Sequence, residues 1–242
     1  MYECTVELAG VPILIRCRHK ANQEFFHDYY TERPSELEIE ISSEDLDRTR
    51  LKMEAYDGKE QFASHLHSGS YLENNAIHEK IAEGLTAHDV LLLHGSALSM
   101  DGQAYIFTAA SGTGKSTHAR LWRENFKDRV TMINDDKPLL RLQNDKVLVY
   151  GTPWDGKHRL STNTSAPVRA LACLVRDKEN SVRPLTKAEG FQILLKHSLW
   201  PDRAEDRIKV LALQKKLIEK ICFYELRCNM LPEAAITAWR GM

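Results

Sequence analysis

The chain has 242 residues, 43% hydrophobic and 28% charged, enough to bury one large or two small globular cores. Its 33 Lys and Arg against 34 Asp and Glu leave a formal net charge of −1, so no global field draws it to nucleic acid or an anionic membrane. Five cysteines without a CxxC pair, acidic Glu3 and Glu7 where a signal peptide would be basic, and no apolar run near ~20 residues speak against a disulfide framework, a leader or a membrane span, and for a cytoplasmic chain.

From Met1 to about Ser70, strand-like runs (Cys4 to Leu8, Pro12 to Cys17, Glu36 to Ile41) alternate with polar turns, and Leu46 to Glu54 reads as a helix. Residues 1–70 are therefore expected to form a small β-rich region packed on a second part, 71–242. Leu72, Ile77, Ile81 and Leu85 predict a helix over Tyr71 to Ala87, and a strand starts at Val90 to Leu93. Ala104 to Thr108 is the next apolar strand, followed by a glycine-rich turn and a helix start at Ala119 to Trp122. Val130 to Ile133 reads as a buried strand, Leu139 to Tyr150 as a hairpin turning at Asn144-Asp145, and Val168 to Val175 as a further strand. Lys187 to Leu199 and Ala204 to Tyr224, the latter with Ile208, Leu211, Ile218 and Ile221, read as helices, and Pro232 to Trp239 as a closing one.

The strand, turn and helix around Ser111-Gly112-Thr113-Gly114-Lys115-Ser116-Thr117 make a phosphate cradle, with backbone N–H groups and the helix dipole facing an anion. Gly112 and Gly114 let the backbone curl round phosphate oxygens, Lys115 reaches the β- and γ-phosphates, Ser116 offers its hydroxyl to Mg²⁺, and Thr117 assists. The strict G-x-x-x-x-G-K-[ST] pattern expects glycine where Ala109 stands. The bland alternative is a flexible turn before a capped helix.

Asp135-Asp136 closes the next buried strand, where one carboxylate can contact Mg²⁺ and the other can take a proton from an attacking hydroxyl; without the loop, the pair would equally suit a turn before Pro138. His94, in His94-Gly95-Ser96-Ala97, ends the strand before the loop-bearing one and can bind metal, contact phosphate or move a proton. Trp154, Lys157 and Arg159 lie in the polar run Gly151 to Arg159, which either closes over the phosphate or is a turn anchored by Trp154. His65 and His67 alternate like metal ligands but lack neighbouring Cys, Asp or Glu clusters, and read as an exposed strand or loop. His197, Arg203 and Arg207 have no place that sequence can assign.

His94-Gly95-Ser96-Ala97, Tyr105-Ile106-Phe107, Ser111 to Thr117 and Asn134-Asp135-Asp136 resemble the nucleotide core shared by bacterial HPr kinase/phosphorylases and ATP-dependent phosphoenolpyruvate carboxykinases. The resemblance covers about Leu91 to Asp136. It implies a P-loop-containing α/β fold with a mixed β-sheet core and flanking helices, ATP and Mg²⁺ as cofactors, Lys115 on the phosphates, and Ser116 and Asp136 on the metal. In the kinase branch Asp135 or Asp136 is the base; in the carboxykinase branch a residue matching His94 is a second-metal ligand. Carboxykinases are more than twice as long, and no clear counterpart of the phosphorylase signature is present, so the chain looks closer to short HPr kinase-like proteins found beside peptide natural-product genes and to free-serine kinases. The expectation is a kinase with Asp135, His94 and Lys115 as catalytic residues, acting on a serine-like hydroxyl in a peptide, protein or small molecule. A nucleotide-binding regulator without turnover and a carboxykinase-like lyase are the alternatives. The acceptor, the donor (ATP, ADP or pyrophosphate) and the oligomeric state stay open.

Overall fold

The structure, a computed structural model, describes residues 1–57 and 68–242; His65 and His67 lie outside them. The described chain divides into two compact units, Met1–Leu85 and Thr86–Met242.

In the first unit, β1 (Tyr2–Leu8) and β2 (Val11–Cys17) form an antiparallel hairpin through Ala9 and Gly10, both at positive φ, which matches the twist of the flanking strands. After α1 (Lys20–Phe25), β3 (Leu37–Glu40) adds to β2 in parallel, and α2 (Ser43–Asp57) and α3 (Gly69–Leu85) follow. Glu73 of α3 is fully buried and is satisfied by N–H donors from Arg18 (2.6 Å), His19 (3.1 Å) and Asn22 Nδ2 (2.8 Å). The helix that sequence periodicity places at the start of the nucleotide part thus belongs to the Met1–Leu85 unit.

The second unit is a mixed sheet with helices on both faces. Its elements are β4 (Val90–Leu92), β5 (Ser96–Met100), β6 (Gln103–Thr108), α4 (Lys115–Phe126), β7 (Val130–Asn134), β8 (Leu139–Gln143) and β9 (Lys146–Tyr150). Then come β10 (Ser165–Arg176), β11 (Ser181–Pro184), α5 (Lys187–His197), α6 (Ala204–Ile218), β12 (Cys222–Cys228) and α7 (Glu233–Gly241). The strand order is β4-β8-β9-β10-β6-β5-β7, with β12 also beside β10 and β11 beside β12. Asn144 and Asp145, at φ 49° and 64°, turn the β8–β9 hairpin where sequence expects it.

Strand direction positions the site. β6, β10 and β12 run parallel, while β5 runs antiparallel to both β6 and β7. The carboxyl ends of β6, β7, β10 and β12 therefore share one edge with the start of β5, where Ser96 pairs with Phe107 and Ala97 with Asn134. Alternation sends Ala97, Ala104 and Ile106 towards Leu194, Val210 and Leu213 of α5 and α6. Leu98, Tyr105 and Phe107 face Trp122 of α4 and Ala235 of α7. Tyr105 and Trp122 stack with ring centroids 4.8 Å apart.

The helix expected over Ala204 to Tyr224 ends at Ile218, and Cys222–Cys228 is a strand. Ile208 is 66% exposed, and the buried stripe is Val210, Leu213 and Leu217. Phe223 and Tyr224 then pack into the two opposite face clusters, the period of a strand. β5 and β11 have no counterpart among the sequence-predicted strands.

Gly151, after β9, has no room for a side chain: a Cβ would collide with the Thr162 carbonyl oxygen and stand 2.7 Å from the Ile133 carbonyl oxygen. Gly151→Ala should lose on the order of 3 kcal/mol of stability, read as a lowered urea midpoint, because backbone rather than a flexible side chain must yield.

Candidate functional site

β6 ends at Thr108 and α4 starts at Lys115, so the glycine-rich loop joins a strand end to a helix N-terminus. Gly112 and Gly114 sit at φ 73° and 122°, which L side chains rarely adopt. Gly114 is the N-cap and supplies no side-chain cap, leaving the first-turn N–H groups without the side-chain acceptor that usually serves them. Ala109 is buried in the α4-side core and is not at positive φ, so this backbone does not require the glycine of the strict pattern. Arg176, the last residue of β10, holds the loop from outside: its Nε donates to the Thr113 carbonyl at 3.1 Å and its Nη2 to the Gly112 carbonyl.

The second strand end is built by side chains bonding to backbone. Asn134 Oδ1 accepts the N–H groups of Asp136 (2.9 Å) and Lys137 (2.6 Å), turning the chain sharply after β7. Its Nδ2 donates to the carbonyls of Thr152 (3.1 Å) and Trp154 (3.2 Å). The Asp155 carboxylate accepts the N–H groups of Asp135 (3.3 Å), Gly156 (2.7 Å) and Ser161 (2.7 Å). A Cβ on Gly156 would lie 3.1 Å from Asp135 Oδ2, so the loop approaches Asp135 as closely as glycine allows.

Asp135 is 6% exposed, and its Oδ1 accepts the Ser96 hydroxyl at 2.6 Å. Burial raises its pKa above the usual carboxylate range, opposed by the hydroxyls of Ser96 and Ser116. Lys115 Nζ donates to the Ala109 carbonyl at 3.3 Å; burial lowers its pKa, and the charges of Asp136 and Asp135 oppose that. Asp136 Oδ1 lies 3.8 Å from His94 Nε2, and its Oδ2 lies 3.7 Å from Lys137 Nζ. Burial and Lys115 lower the His94 pKa, while Asp136 raises it. The His94 N–H donates to the His197 carbonyl at 2.8 Å, and burial holds the His197 imidazole down to about 4.

The structure thus brings Lys115, Ser116, Asp135, Asp136 and His94 into one cluster, with Ser111, Gly112, Thr113, Gly114 and Thr117 in the adjoining loop and first helical turn. Trp154 is buried, whereas Lys157 and Arg159 are exposed; among the described residues neither cation is paired with the cluster. Arg203 pairs with Glu205 and Arg207 with the Pro201 carbonyl. Ser96, Asp155 and Arg176 carry no spacing signal, and His197 enters only because α5 ends beside His94. No group of three or more His, Cys, Asp and Glu is placed to hold a metal ion among the described residues.

A cavity lies on each flank of α4. One, of about 330 Å³, is lined by Thr113, Gly114, Thr117, His118, Leu174 and Met230; the other, of about 360 Å³, includes Ser116, Thr117 and Asp135. His118 Nε2 accepts from Trp122 Nε1 at 3.0 Å, and its Nδ1 is buried without a partner.

No family model matches the chain, and no curated protein matches it. Among solved structures it is similar to the Hpr(Ser) kinase/phosphatase from Coxiella burnetii, at 14% identity over 52% of this chain and 95% of that one, with a TM-score of 0.29. No helix of the described residues is long and apolar enough to cross a membrane.

Burial holds His118 at about 4, well below a free imidazole, so the folded state binds fewer protons than the unfolded chain between those values. Its contribution to stability is complete above about pH 6.5 and is lost as pH falls towards 4, on the order of 3 kcal/mol. His118→Gln, which keeps an acceptor for Trp122, should flatten that segment of a urea-unfolding series against pH.

Proposed function

We propose that this chain is an ATP- and Mg²⁺-dependent kinase that phosphorylates a serine-like hydroxyl. The observation that carries the reading is the buried Asp135 carboxylate, held by Ser96 and Ser116 beside Lys115 at the mouth of a glycine loop that opens a helix. A buried carboxylate of raised proton affinity next to an anion cradle suits proton transfer coupled to phosphoryl transfer.

In this reading the nucleotide phosphates lie against the uncapped N–H groups of α4 and the Lys115 ammonium. The cavity of about 330 Å³ beside Thr113 and Thr117 falls within the range of small-molecule sites, about 300–1,000 Å³, and receives the base. The acceptor hydroxyl bonds to Asp135, which takes its proton as the acceptor oxygen bonds to the γ-phosphorus and the bond to the β-phosphate bridging oxygen breaks, releasing ADP. Lys115 offsets the charge on the transferring group. Ser116 and Asp136 offer the hard oxygen donors suited to Mg²⁺, which takes only one or two protein ligands beside substrate phosphates; this fits the absence of a three-ligand cluster among the described residues. When bound, Mg²⁺ supplies further neutralisation of phosphate charge. His94, whose Nε2 lies 3.8 Å from Asp136 Oδ1, positions that carboxylate; burial and Lys115 lower its pKa.

Lys115→Ala should abolish transfer from ATP, and Asp135→Asn should keep ATP binding while cutting transfer by about 10²- to 10⁴-fold. A protein that binds ATP and turns over no acceptor would be a regulator, and CO₂ release from oxaloacetate would make it a lyase; either result overturns the kinase reading. Because Asp135 must be ionised to act, kcat/KM should fall on the acid side through a pKa above the usual carboxylate range. The Ser96 hydroxyl stabilises the ionised form, so Ser96→Ala should move that acid limb to higher pH.

A further inference from the structure

A further cavity, of about 450 Å³, lies at the edge of the sheet opposite the glycine loop, where Gln103 and Tyr105 of β6, Arg169 of β10 and Trp239 and Arg240 of α7 line it. Gln103 starts β6 and Thr108 ends it, so this cavity stands about 17 Å along the strand from the glycine loop. A β-bulge supplies Arg169. Val168 pairs with Ala104 and Ala170 with Tyr105, which leaves Arg169 as an extra, unpaired residue of β10. Val168 packs on the α5 and α6 side of the sheet and Ala170 on the α4 and α7 side, so the break in alternation falls at Arg169. Tyr105 is 6% exposed and stacks on Trp122, yet its hydroxyl is neither hydrogen-bonded nor sealed in among the described residues, and so opens into the cavity it lines. Burial raises the Tyr105 pKa and Arg169 opposes that rise, while Asp101 and Tyr224 add to it. Asp101 is itself bound by Nε and Nη2 of Arg129. Arg169 and Arg240 are exposed, and among the described residues neither has a carboxylate partner. The cavity thus gathers two uncompensated guanidinium groups and a hydroxyl donor. The C-terminal end of α7 adds at most about half a negative charge, which two full positive charges outweigh.

The geometry points to a second ligand site here, which binds a phosphate monoester through Arg169, Arg240 and the Tyr105 hydroxyl. It shares no residue with the phosphoryl-transfer machinery and stands whether or not the kinase reading does. A single carboxylate would balance one guanidinium. A phosphate monoester at pH 7 carries close to two negative charges and presents three terminal oxygens, one for each donor. Planar guanidinium forks also suit bidentate contact with phosphate. The cavity falls within the range of small-molecule sites, about 300–1,000 Å³, and is much larger than a phosphate group, so there is room along the Trp239 indole for the organic body that carries the ester. That body is either a free small molecule or the side chain of a phosphorylated peptide, and both present the same phosphate.

The test is calorimetry on the full chain with inorganic phosphate, O-phospho-L-serine, glycerol 3-phosphate, a phosphoserine peptide, and the same peptide with serine or glutamate in its place. At least one ester should bind, and Lys115→Ala, which removes the cation of the glycine loop, should leave that affinity unchanged. Arg169→Gln and Arg240→Gln should each weaken it by about 10- to 100-fold, with Arg169→Lys restoring part of the loss. Tyr105→Phe, which keeps the ring on Trp122, should weaken it by about 2- to 10-fold. Both arginines are exposed, so their variants should keep the wild-type thermal midpoint, and the loss is then one of binding. Equal affinity for the free esters and the phosphopeptide assigns a small molecule, and a preference of tenfold or more for the phosphopeptide assigns a peptide. Binding of inorganic phosphate without any ester overturns the site as drawn. A glutamate or serine peptide that binds as tightly as the phosphopeptide overturns it in favour of a surface for unphosphorylated peptide. A loss that follows Lys115→Ala and spares the arginine variants places the phosphate in the glycine loop and overturns it too. If no probe binds, the site is refuted.

Discussion

Withdrawing a carboxylate from water at the edge of the sheet is the constraint around which the Thr86–Met242 unit is arranged. Asp135 is 6% exposed, and a buried carboxylate is tolerable only with hydrogen bonds and opposite charge nearby. Ser96 arrives because β5 starts at the edge where β7 ends, and Ser116 because α4 starts where β6 ends. Lys115 supplies the opposite charge, and its own burial makes it depend on Asp136 and Asp135 in return. Removing one partner would leave the others exposed to the full cost of their desolvation.

The loop after β9 supports this arrangement from beneath. Trp154 is buried, and its carbonyl accepts from Asn134, while Asp155 holds the Asp135 N–H and Gly156 lets the loop pack against the carboxylate. The cationic residues that drew notice to this loop, Lys157 and Arg159, are its exposed tip. Arg176 plays the corresponding part for the glycine loop, bonding to the Gly112 and Thr113 carbonyls, while the Thr113 N–H closes the turn onto the Ala110 carbonyl at 3.2 Å. α4 then separates two cavities of different chemistry, with Thr117 lining both.

Much of this was legible along the chain wherever the signal was local. The Asn144-Asp145 hairpin was readable because paired residues tolerant of positive φ sit between alternating apolar runs, and the glycine loop because backbone curvature demands glycines at fixed spacing. The strand Cys222–Cys228 was not, because Ile218 and Ile221 continue a helical period across the break, and only pairing with β10 shows where the helix ends. Ser96 and Arg176 act through contacts distant in sequence, 39 residues separating Ser96 from Asp135 and 63 separating Arg176 from Thr113, so no spacing rule marks them.

By itself the sequence determined the order strand, glycine loop, helix, the Asp-Asp pair at the next strand end, and the histidine before them, because each is a local pattern of backbone and side-chain chemistry. Only the tertiary structure decided that these ends meet: β5 runs against its neighbours and brings Ser96 to the edge where β6 and β7 finish. It also decided which charges leave water, burying Asp135, half-burying Lys115 and leaving Lys157 and Arg159 exposed, because burial depends on what the rest of the chain packs against each group.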